Sequence, residues 1–481
     1  MKSANYNNQV FKQLQEVMKK CDDLSQEFNA QKKDYECRIE KLENENRELK
    51  EKNEKLTNEV DRLKKQINNN SNNSSKPPSS DIKKNTPNNR EKTTKKAGGQ
   101  KGHKAHFLSK KVVEEKISNK EFEHEIIHVG KVSKEYTSKY ILDTKISIVA
   151  KEYRFYPNKE GKIIIPKEYK TDVQYGTNLK TICAVLNTEG IVALDRLSDF
   201  VSCISHERIK ISKGSIVNFM KELDNKSQYI IKNIENKILN SELLNTDATT
   251  ARCENRNICV RTYSTKKLTL LVPTYGKGKK HIEETNILNR YTGNLVHDHE
   301  TVMYNYGNKH IECNVHVSRY LKGCYENTQN KWALKMRSFL CSLNEYRKKL
   351  KLKEIFKLEK GQLEIYSNRY DEILKEGYIE NKKVKSKYLR QEEQRLLNRL
   401  KKYKENHLMF LYDFNMPFDN NLSERDLRHV KIKQKVSGHF NSMKGIKIYL
   451  NIKSIIGTLK KQGRNFYKVI FNIYENIPVE I

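Results

Sequence analysis

The chain has 481 residues, of which 36% are hydrophobic and 32% charged, so it can bury a substantial core only if part of it stays extended and polar. Lys and Arg number 93 against 60 Asp and Glu, which gives a formal net charge of +33 at pH 7. A positive field of this size attracts polyanions, so nucleic acid is the first partner to consider and an anionic membrane surface the second. Codon usage in an AT-rich genome, which favours Lys and Asn, is the other explanation for part of the excess.

Several classes of protein are disfavoured at once. The chain has no run of about 18 apolar residues, which a membrane-spanning helix requires. Its first thirty residues are polar and charged, without the apolar centre of a signal peptide. The nine cysteines are an odd number without a C-x-x-C pair, which argues against a disulfide framework. We therefore expect a cytoplasmic, nucleoid-associated protein with no membrane partner.

Residues 1–67 follow a seven-residue period that predicts a coiled coil. Asn46 and Asn53 occupy position a, where a polar side chain favours two parallel strands. The apolar residues at position d are Leu14, Phe28, Tyr35, Leu42, Leu49, Leu56 and Leu63. Positions g and e carry opposite charges in the pairs Arg38 with Glu43, Glu45 with Lys50, and Glu59 with Lys64. The pattern predicts a homodimer, and the alternative is a solvated single helix.

Three further segments precede the region that carries the chemistry. Residues 68–109 are rich in Asn, Ser, Pro, Lys and Gly, which predicts a basic low-complexity linker. Residues 110–175 alternate polar and apolar side chains, which predicts a small β-rich module. Residues 176–240 read as helical, and two helices separated by a short Gly-containing turn would form a helix-turn-helix there. Any two packed helices give the same pattern, so groove reading is an open alternative.

Residues 241–330 show an order of elements that indicates an α/β fold. Three β-prone runs are followed by a helical stretch, a strand G-N-L-V-H-D, a helix and the strand-like run H-I-E-C-N-V-H. This is the order of an RNase H-like mixed sheet, the fold class that we predict for the catalytic core. Asp247 then lies within the first strand and Asp298 at the end of the fourth, and those two strands are neighbours in that fold.

A carboxylate pair of this kind suits polynucleotide chemistry, because closely spaced carboxylates hold divalent metals that activate the attacking oxygen and stabilise the leaving one. The candidate third acid is Glu424, near the start of a helix that Asp419, Asn420 or Ser423 would cap. The structural alternatives are a turn acid for Asp247, a cap for Asp298, and a surface ion pair between Glu424 and a neighbouring arginine.

Seven features follow one another along almost the whole chain. They are the N-terminal leucine zipper, N-S-S-K-P-P-S-S-D at Asn73 to Asp81, G-G-Q-K-G-H at Gly98 to His103, T-D-A-T at Thr246 to Thr249, V-H-D at Val296 to Asp298, H-I-E-C-N-V-H at His310 to His316, and D-N-N-L-S-E-R-D-L-R at Asp419 to Arg428. Taken in this order, they resemble the transposases of the IS66 family of bacterial insertion sequences, which belong to the DDE group.

The resemblance implies a DNA transposase whose catalytic and metal-binding triad is Asp247, Asp298 and Glu424. It implies two Mg²⁺ ions, for which Mn²⁺ can substitute, cleavage at the inverted-repeat ends of the element and joining of the freed 3′-OH to target DNA. It also implies a helical insertion between the second and third acids, and residues 331–410, rich in Leu, Lys and Glu, fit that description independently. Residues 411–481 would then complete the core with C-terminal helices that carry the third acid. Small accessory proteins of the same element are possible partners.

A second hypothesis is a catalytically inactive DNA-binding or scaffolding protein derived from such a transposase. Family members usually carry a cysteine-rich zinc module before the catalytic domain, but no cysteine lies between Cys37 and Cys183 here. We therefore expect no zinc site, and the lost cysteines are the feature that favours this hypothesis.

Two further groups of residues are predicted to support the site. His310, Cys313 and His316 are interpreted as residues that surround the active site or contact DNA, with a satisfied core cluster as the alternative. The basic residues after the third acid are expected to neutralise DNA phosphates; they are Arg425, Arg428, Lys431, Lys433 and Lys435.

Overall fold

A computed structural model describes residues 2–74, 109–130, 134–166, 169 and 171–481 of the chain. The first helix, α1, spans Lys2–Asn68, which fits the predicted N-terminal helix. At 1.5 Å per residue its 67 residues extend over roughly 100 Å. Most of the predicted linker over 68–109 lies outside the described residues, as do the G-G-Q-K-G-H run and most of the N-S-S-K-P-P-S-S-D run.

The segment predicted as a β-rich module differs from that prediction. It begins with helix α2, Lys110–Ser118, which Ser109 caps by accepting a hydrogen bond from the Val112 amide. Of the described residues between 119 and 176, none is in a strand. Alternation predicts a strand only where a second strand satisfies its backbone and one face is buried. Here the aliphatic side chains are largely exposed, Val129 by 95% and Ile141 by 93%.

Three helices follow and share a small apolar core. They are α3 (Thr177–Thr188), α4 (Leu194–Ile204) and α5 (Lys213–Leu239). Cys183, Leu197 and Ile216 are buried together between them. The connection between α4 and α5 spans residues 205–212, and Gly214 lies in the first turn of α5 rather than in the connection. This connection between α4 and α5 is therefore longer than the three- or four-residue turn of a helix-turn-helix.

Within the part of the chain that the structure describes, five strands form one sheet, in the order β3-β2-β1-β4-β5. They are β1 (Leu243–Cys253), β2 (Arg256–Ser264), β3 (Thr269–Thr274), β4 (Asn294–His297) and β5 (His310–Glu312), with the short helix α6 (Lys279–Glu283) between β3 and β4. The first three strands pair antiparallel, and Asp247 lies opposite Thr262. The predicted strands are thus present, and the strand that precedes Asp298 neighbours the strand that contains Asp247.

Helices dominate the rest of the chain. They are α7 (Asn314–Thr328), α8 (Lys331–Leu352), α9 (Lys360–Lys382), α10 (Lys387–Lys402), α11 (Lys404–Tyr412), α12 (Asn421–Ser437), α13 (Met443–Lys461) and α14 (Phe466–Tyr474). The predicted insertion over 331–410 is therefore helical. Helices α8 to α11 bury their own core around Trp332, Tyr370 and Phe410.

The chain divides into two compact units. Unit 1 comprises Met1–Lys84, Val296–Glu300 and Lys309–Asn420, and it contains α1, β5 and the helices α7 to α11. Unit 2 comprises Asn85–Leu295, Thr301–Asn308 and Asn421–Ile481. Its largest core lies between the sheet and the helices α5, α13 and α14. Within the described ranges, no helix is both long enough and apolar enough to cross a membrane.

Candidate active site

Asp298 follows directly on β4, and two residues from other elements of unit 1 contact its carboxylate. Nδ1 of His316, in the first turn of α7, lies 3.2 Å from Oδ1 of Asp298. The side-chain amide of Asn420 donates to the same oxygen at 3.3 Å. The Asp298 side chain is 23% exposed and that of His316 is 10% exposed. Among the described residues, both side-chain contacts are with Oδ1, which leaves Oδ2 available to a ligand.

The electrostatics of this pair favour the charged form of both groups. Burial raises the pKa of Asp298, but the contacts with His316 and Asn420 outweigh it, so the pKa lies below the usual range of a carboxyl. Burial lowers the pKa of His316, but the contacts with Asp298 and Cys313 outweigh it, so that pKa lies well above its usual range. At neutral pH a carboxylate therefore faces an imidazolium.

Cys313 completes this group of residues. It is fully buried at the N-cap of α7, and its Sγ lies within 4.8 Å of a ligand atom of Asp298 and of His316. The backbone amide of Asn420 donates to that sulfur at 3.3 Å. Burial raises the pKa of the Cys313 thiol, so it stays protonated. Cys313 and His316 thus lie directly beside the Asp298 carboxylate, and the three residues form a group whose ligand atoms could hold a metal ion.

His310 occupies a different position. Its Nδ1 lies 3.2 Å from Nε2 of His297, which precedes Asp298. Burial and the neighbouring His297 lower the pKa of His310 to about 4, so the ring is neutral. Of the three predicted surrounding residues, Cys313 and His316 are thus close to Asp298, and His310 contacts the residue before it.

Sequence reasoning missed a second cluster in unit 1. Oε2 of Glu312 lies 2.9 Å from Nε2 of His299 and 2.9 Å from Nε2 of His407. Nη2 of Arg399 donates to its other oxygen at 2.6 Å. Burial raises the pKa of Glu312, but the contacts with His299 and His407 hold it far below its usual range. The sequence could have pointed to Glu312, because this charged residue lies inside the β-prone run H-I-E-C-N-V-H.

Asp247 and Glu424 lie in unit 2. Asp247 is half-buried in β1, where the Ala248 amide donates to its Oδ1 at 2.6 Å. Glu424 is half-buried in the first turn of α12, a helix that packs against β1 and β2. The start of a helix favours a carboxylate, because the backbone N–H groups and the helix dipole point toward it. The predicted helix start and the position of Glu424 in its first turn are both present.

Asp426, two residues beyond Glu424, attaches this turn to the sheet. Its Oδ2 accepts from Ser264 Oγ at 2.5 Å, from Thr269 Oγ1 at 2.9 Å and from Lys461 Nζ at 2.7 Å. The three donors come from β2, β3 and α13. The carboxylate therefore ties the start of α12 to two strands and to a second helix.

The predicted phosphate-binding residues of α12 fall into two groups. Arg425, Arg428 and Lys435 are exposed on one side of the helix, and Lys431 is exposed but donates to Thr250 Oγ1 at 3.2 Å. The prediction for Lys433 is wrong. Lys433 is 7% exposed, its Nζ donates to the carbonyl of Asn187 at 3.1 Å, and burial lowers its pKa to about 8. It packs over the ring of Tyr449, so it joins α12 to the rest of unit 2 instead of facing DNA.

Comparison with known families shows to which family the chain belongs. Residues 172–448 match the model of the IS66 transposase family. Residues 24–109 match a second model, described as a family of unknown function (DUF6444). A search of curated proteins finds no match. The first match spans Asp247, Asp298 and Glu424 and more than half of the 481 residues, so the chain belongs to the IS66 family of transposases.

Proposed function

We propose that this transposase is a DDE-type, RNase H-like polynucleotidyl transferase that cleaves the ends of its element and joins the freed 3′-OH to target DNA. The observation that carries the proposal is the environment of Asp298. A carboxylate that is mostly buried, kept ionised by His316 and oriented by Asn420 is prepared for a cation. The family match and the five-stranded sheet support the same chemistry.

The proposed metal ligands are Asp247, Asp298 and Glu424, which would hold two Mg²⁺ ions, with Mn²⁺ as a substitute. The residues fit this group, because carboxylate oxygens are the ligands that Mg²⁺ prefers and Oδ2 of Asp298 is available. Such ions, when bound, activate the attacking oxygen and stabilise the leaving oxygen of the phosphodiester.

The other residues bind and orient. His316 and Asn420 hold Asp298 in one orientation and keep it anionic. Asp426 fixes the first turn of α12 and therefore the start of the helix that presents Glu424. The exposed Arg425, Arg428 and Lys435 would neutralise phosphates of the bound DNA.

The proposal includes a homodimer formed through α1. Three half-buried residues of its last turns, Asn58, Asp61 and Lys65, occupy heptad positions b and f, opposite the a and d residues. Lys65 pairs with Glu392 of α10 at 2.5 Å, and Asn58 Oδ1 accepts from the Tyr388 amide at 3.2 Å. The d residues of the same segment stay exposed, Leu49 by 57% and Leu56 by 64%. Contact with α10 therefore leaves the coiled-coil face available to a second copy.

The deciding experiment is a cleavage assay with the purified chain, labelled DNA carrying the terminal repeats of the element, and Mg²⁺ or Mn²⁺. We expect metal-dependent 3′-OH formation at the repeat boundary, lost in Asp247→Ala, Asp298→Asn and Glu424→Gln. Asp199→Asn, at an exposed position of α4, is the matched control and should cleave normally.

Two results would contradict the proposal. Cleavage retained by Asp298→Asn would remove Asp298 from the metal site. Tight end binding without cleavage, even with the accessory proteins of the element added, would instead favour the inactive DNA-binding protein. DNA affinity of the Asp298→Asn variant should stay near that of the unchanged chain, because a carboxylate contributes repulsion rather than attraction toward phosphate.

A further inference from the structure

Two histidines flank Asp298, and both contact strand β5 within unit 1. Nε2 of His297 lies 3.2 Å from Nδ1 of His310, and Nε2 of His299 lies 2.9 Å from Oε2 of Glu312. The backbone amide of Cys313 also donates to the carbonyl of His297 at 3.1 Å. His297 is the last residue of β4, and Asp298 and His299 form a bend directly after it. Contacts that hold His297 and His299 therefore restrict the backbone on both sides of Asp298.

The contact with Glu312 depends on the helical insertion. Arg399 of α10 and His407 of α11 both bind the Glu312 carboxylate. His407 is fully buried, and its Nδ1 lies 3.1 Å from the hydroxyl of Tyr370 in α9. Side-chain amides add two connections at this junction: Asn406 donates to the His310 carbonyl and Asn314 to the His407 carbonyl, each at 2.9 Å.

Glu312 has no exposed surface, so its charge has to be compensated by neighbouring groups. Arg399 supplies the opposite charge at 2.6 Å. The His299 ring lies against the same carboxylate, with its Nε2 2.9 Å from Oε2 of Glu312. Removing the carboxylate would leave Arg399 without its charged partner and His299 without this contact.

We propose that Glu312 is a positioning residue for Asp298, acting through His299, and that the insertion serves the active site by supplying Arg399 and His407 to hold Glu312. The inference rests on the proposed function, because it assumes that Asp298 binds metal. It assigns to α10 and α11 a task in the metal site although neither helix carries one of the three acids.

A cation site at this cluster is the competing explanation. One ligand atom each from His299, Glu312 and His407 lies within 4.8 Å of the other two, and two histidines with a carboxylate suit first-row metals. The contacts of the carboxylate argue against it, because Arg399 already donates to Oε1 of Glu312 at 2.6 Å and Nε2 of His407 lies 2.9 Å from Oε2. The favoured explanation is thus an internal hydrogen-bonded cluster.

The test measures Mn²⁺ binding to the DNA-free chain, by electron paramagnetic resonance of free Mn²⁺ and by the metal-induced shift in melting temperature, and then measures cleavage. The variants are Glu312→Gln and Arg399→Gln. Glu393→Gln is the matched control, since Glu393 is a buried glutamate of the same insertion whose carboxylate binds Trp332, Asn330 and Asn381. Comparison of the unchanged chain with Asp298→Asn shows how much of the Mn²⁺ binding depends on Asp298.

We expect Glu312→Gln and Arg399→Gln to weaken Asp298-dependent Mn²⁺ binding by about 10-fold, the effect typical of outer partners of metal ligands. Arg399→Lys, which keeps the charge, should recover part of the affinity. Glu393→Gln should lower stability and leave Mn²⁺ affinity nearly unchanged. DNA affinity should change little in all four variants, because the substituted side chains are buried or contact other residues of unit 1.

The inference would be overturned if folded Glu312→Gln and Arg399→Gln bound Mn²⁺ as tightly as the unchanged chain does. If Glu312→Gln fails to fold, Arg399→Gln decides, since Arg399 is 22% exposed and its loss disturbs the core less. Stoichiometric binding that persists in Asp298→Asn and disappears in Glu312→Gln would establish the competing cation site. Absence of Asp298-dependent binding in the unchanged chain would instead contradict the proposed metal site itself.

Discussion

Oδ1 of Asp298 lies 3.2 Å from Nδ1 of His316, and the two side chains are 23% and 10% exposed. The contact joins the end of β4 to the first turn of α7. It pairs a carboxylate with an imidazolium where neither charge is well solvated, so each group depends on the other to remain charged. The pair fixes the orientation of the acid before any ligand binds.

His316→Gln should lower the free energy of unfolding by about 2 kcal/mol at the pH where the loss is largest, because it leaves the mostly buried Asp298 carboxylate without its charged partner. The pKa of Asp298 is lowered, so its contribution is present above pH 4 or so and lost as pH falls through the lowered pKa. The pKa of His316 is raised, so its contribution is complete below about pH 6.5 and lost as pH rises toward the raised pKa. Urea unfolding in EDTA between pH 3 and 10 should show the largest difference between those two limits.

The control for this prediction is His439→Gln, at an exposed position. Its stability difference from the unchanged chain should be small at every pH. A difference for His316→Gln that does not vary with pH would mean that the ring contributes by packing rather than by charge.

The salt dependence of DNA binding should distinguish the exposed basic residues of α12 from the buried Lys433. Arg428→Ala should weaken DNA binding and reduce the slope of log affinity against log salt by about 1, because one phosphate contact is lost. Lys433→Gln should leave the slope unchanged and lower the melting temperature, because Nζ of Lys433 is bonded to Asn187 inside unit 2. DNA titrations at several salt concentrations measure the slope, and thermal unfolding measures the melting temperature. A reduced slope in Lys433→Gln would contradict its assignment as a structural residue.

Asp426→Asn should destabilise the start of α12. The change weakens three hydrogen bonds at once and leaves the ammonium of Lys461, which is mostly buried, without its charged partner. We expect a loss of about 2 kcal/mol in the free energy of unfolding and reduced cleavage because Glu424 shifts. Glu283→Gln, which affects an exposed pair with Lys279, is the control and should change neither quantity. Full cleavage at unchanged stability in Asp426→Asn would contradict this role.

Dimerisation through α1 should depend on the d positions. Leu49→Asp with Leu56→Asp places two charges on the exposed apolar face and should give a monomer in light scattering at micromolar concentration. Asn44→Asp with Glu51→Asp introduces the same residue at two f positions and should leave the dimer intact. A monomer for the unchanged chain would refute the predicted coiled coil.

Local patterns in the sequence predicted much of the secondary structure. The seven-residue period predicted α1, the β-prone runs predicted the strands on either side of Asp298, and Leu-, Lys- and Glu-rich composition predicted the insertion helices. These succeed because helix and strand periods are properties of neighbouring residues. The β-rich module over 110–175 fails for the same reason: alternation cannot tell whether a partner strand exists.

The sequence by itself also determined the family, because ordered motifs along the chain resemble IS66 transposases and the family model matches the same region. Tertiary structure alone decided which charges are buried. Lys433 meets Asn187 from 246 residues away, and Glu312 meets Arg399 and His407 from 87 and 95 residues away. A charged side chain looks the same in sequence whether it faces solvent or a buried partner, since the free energy of burying it depends on groups that only the folded chain brings together.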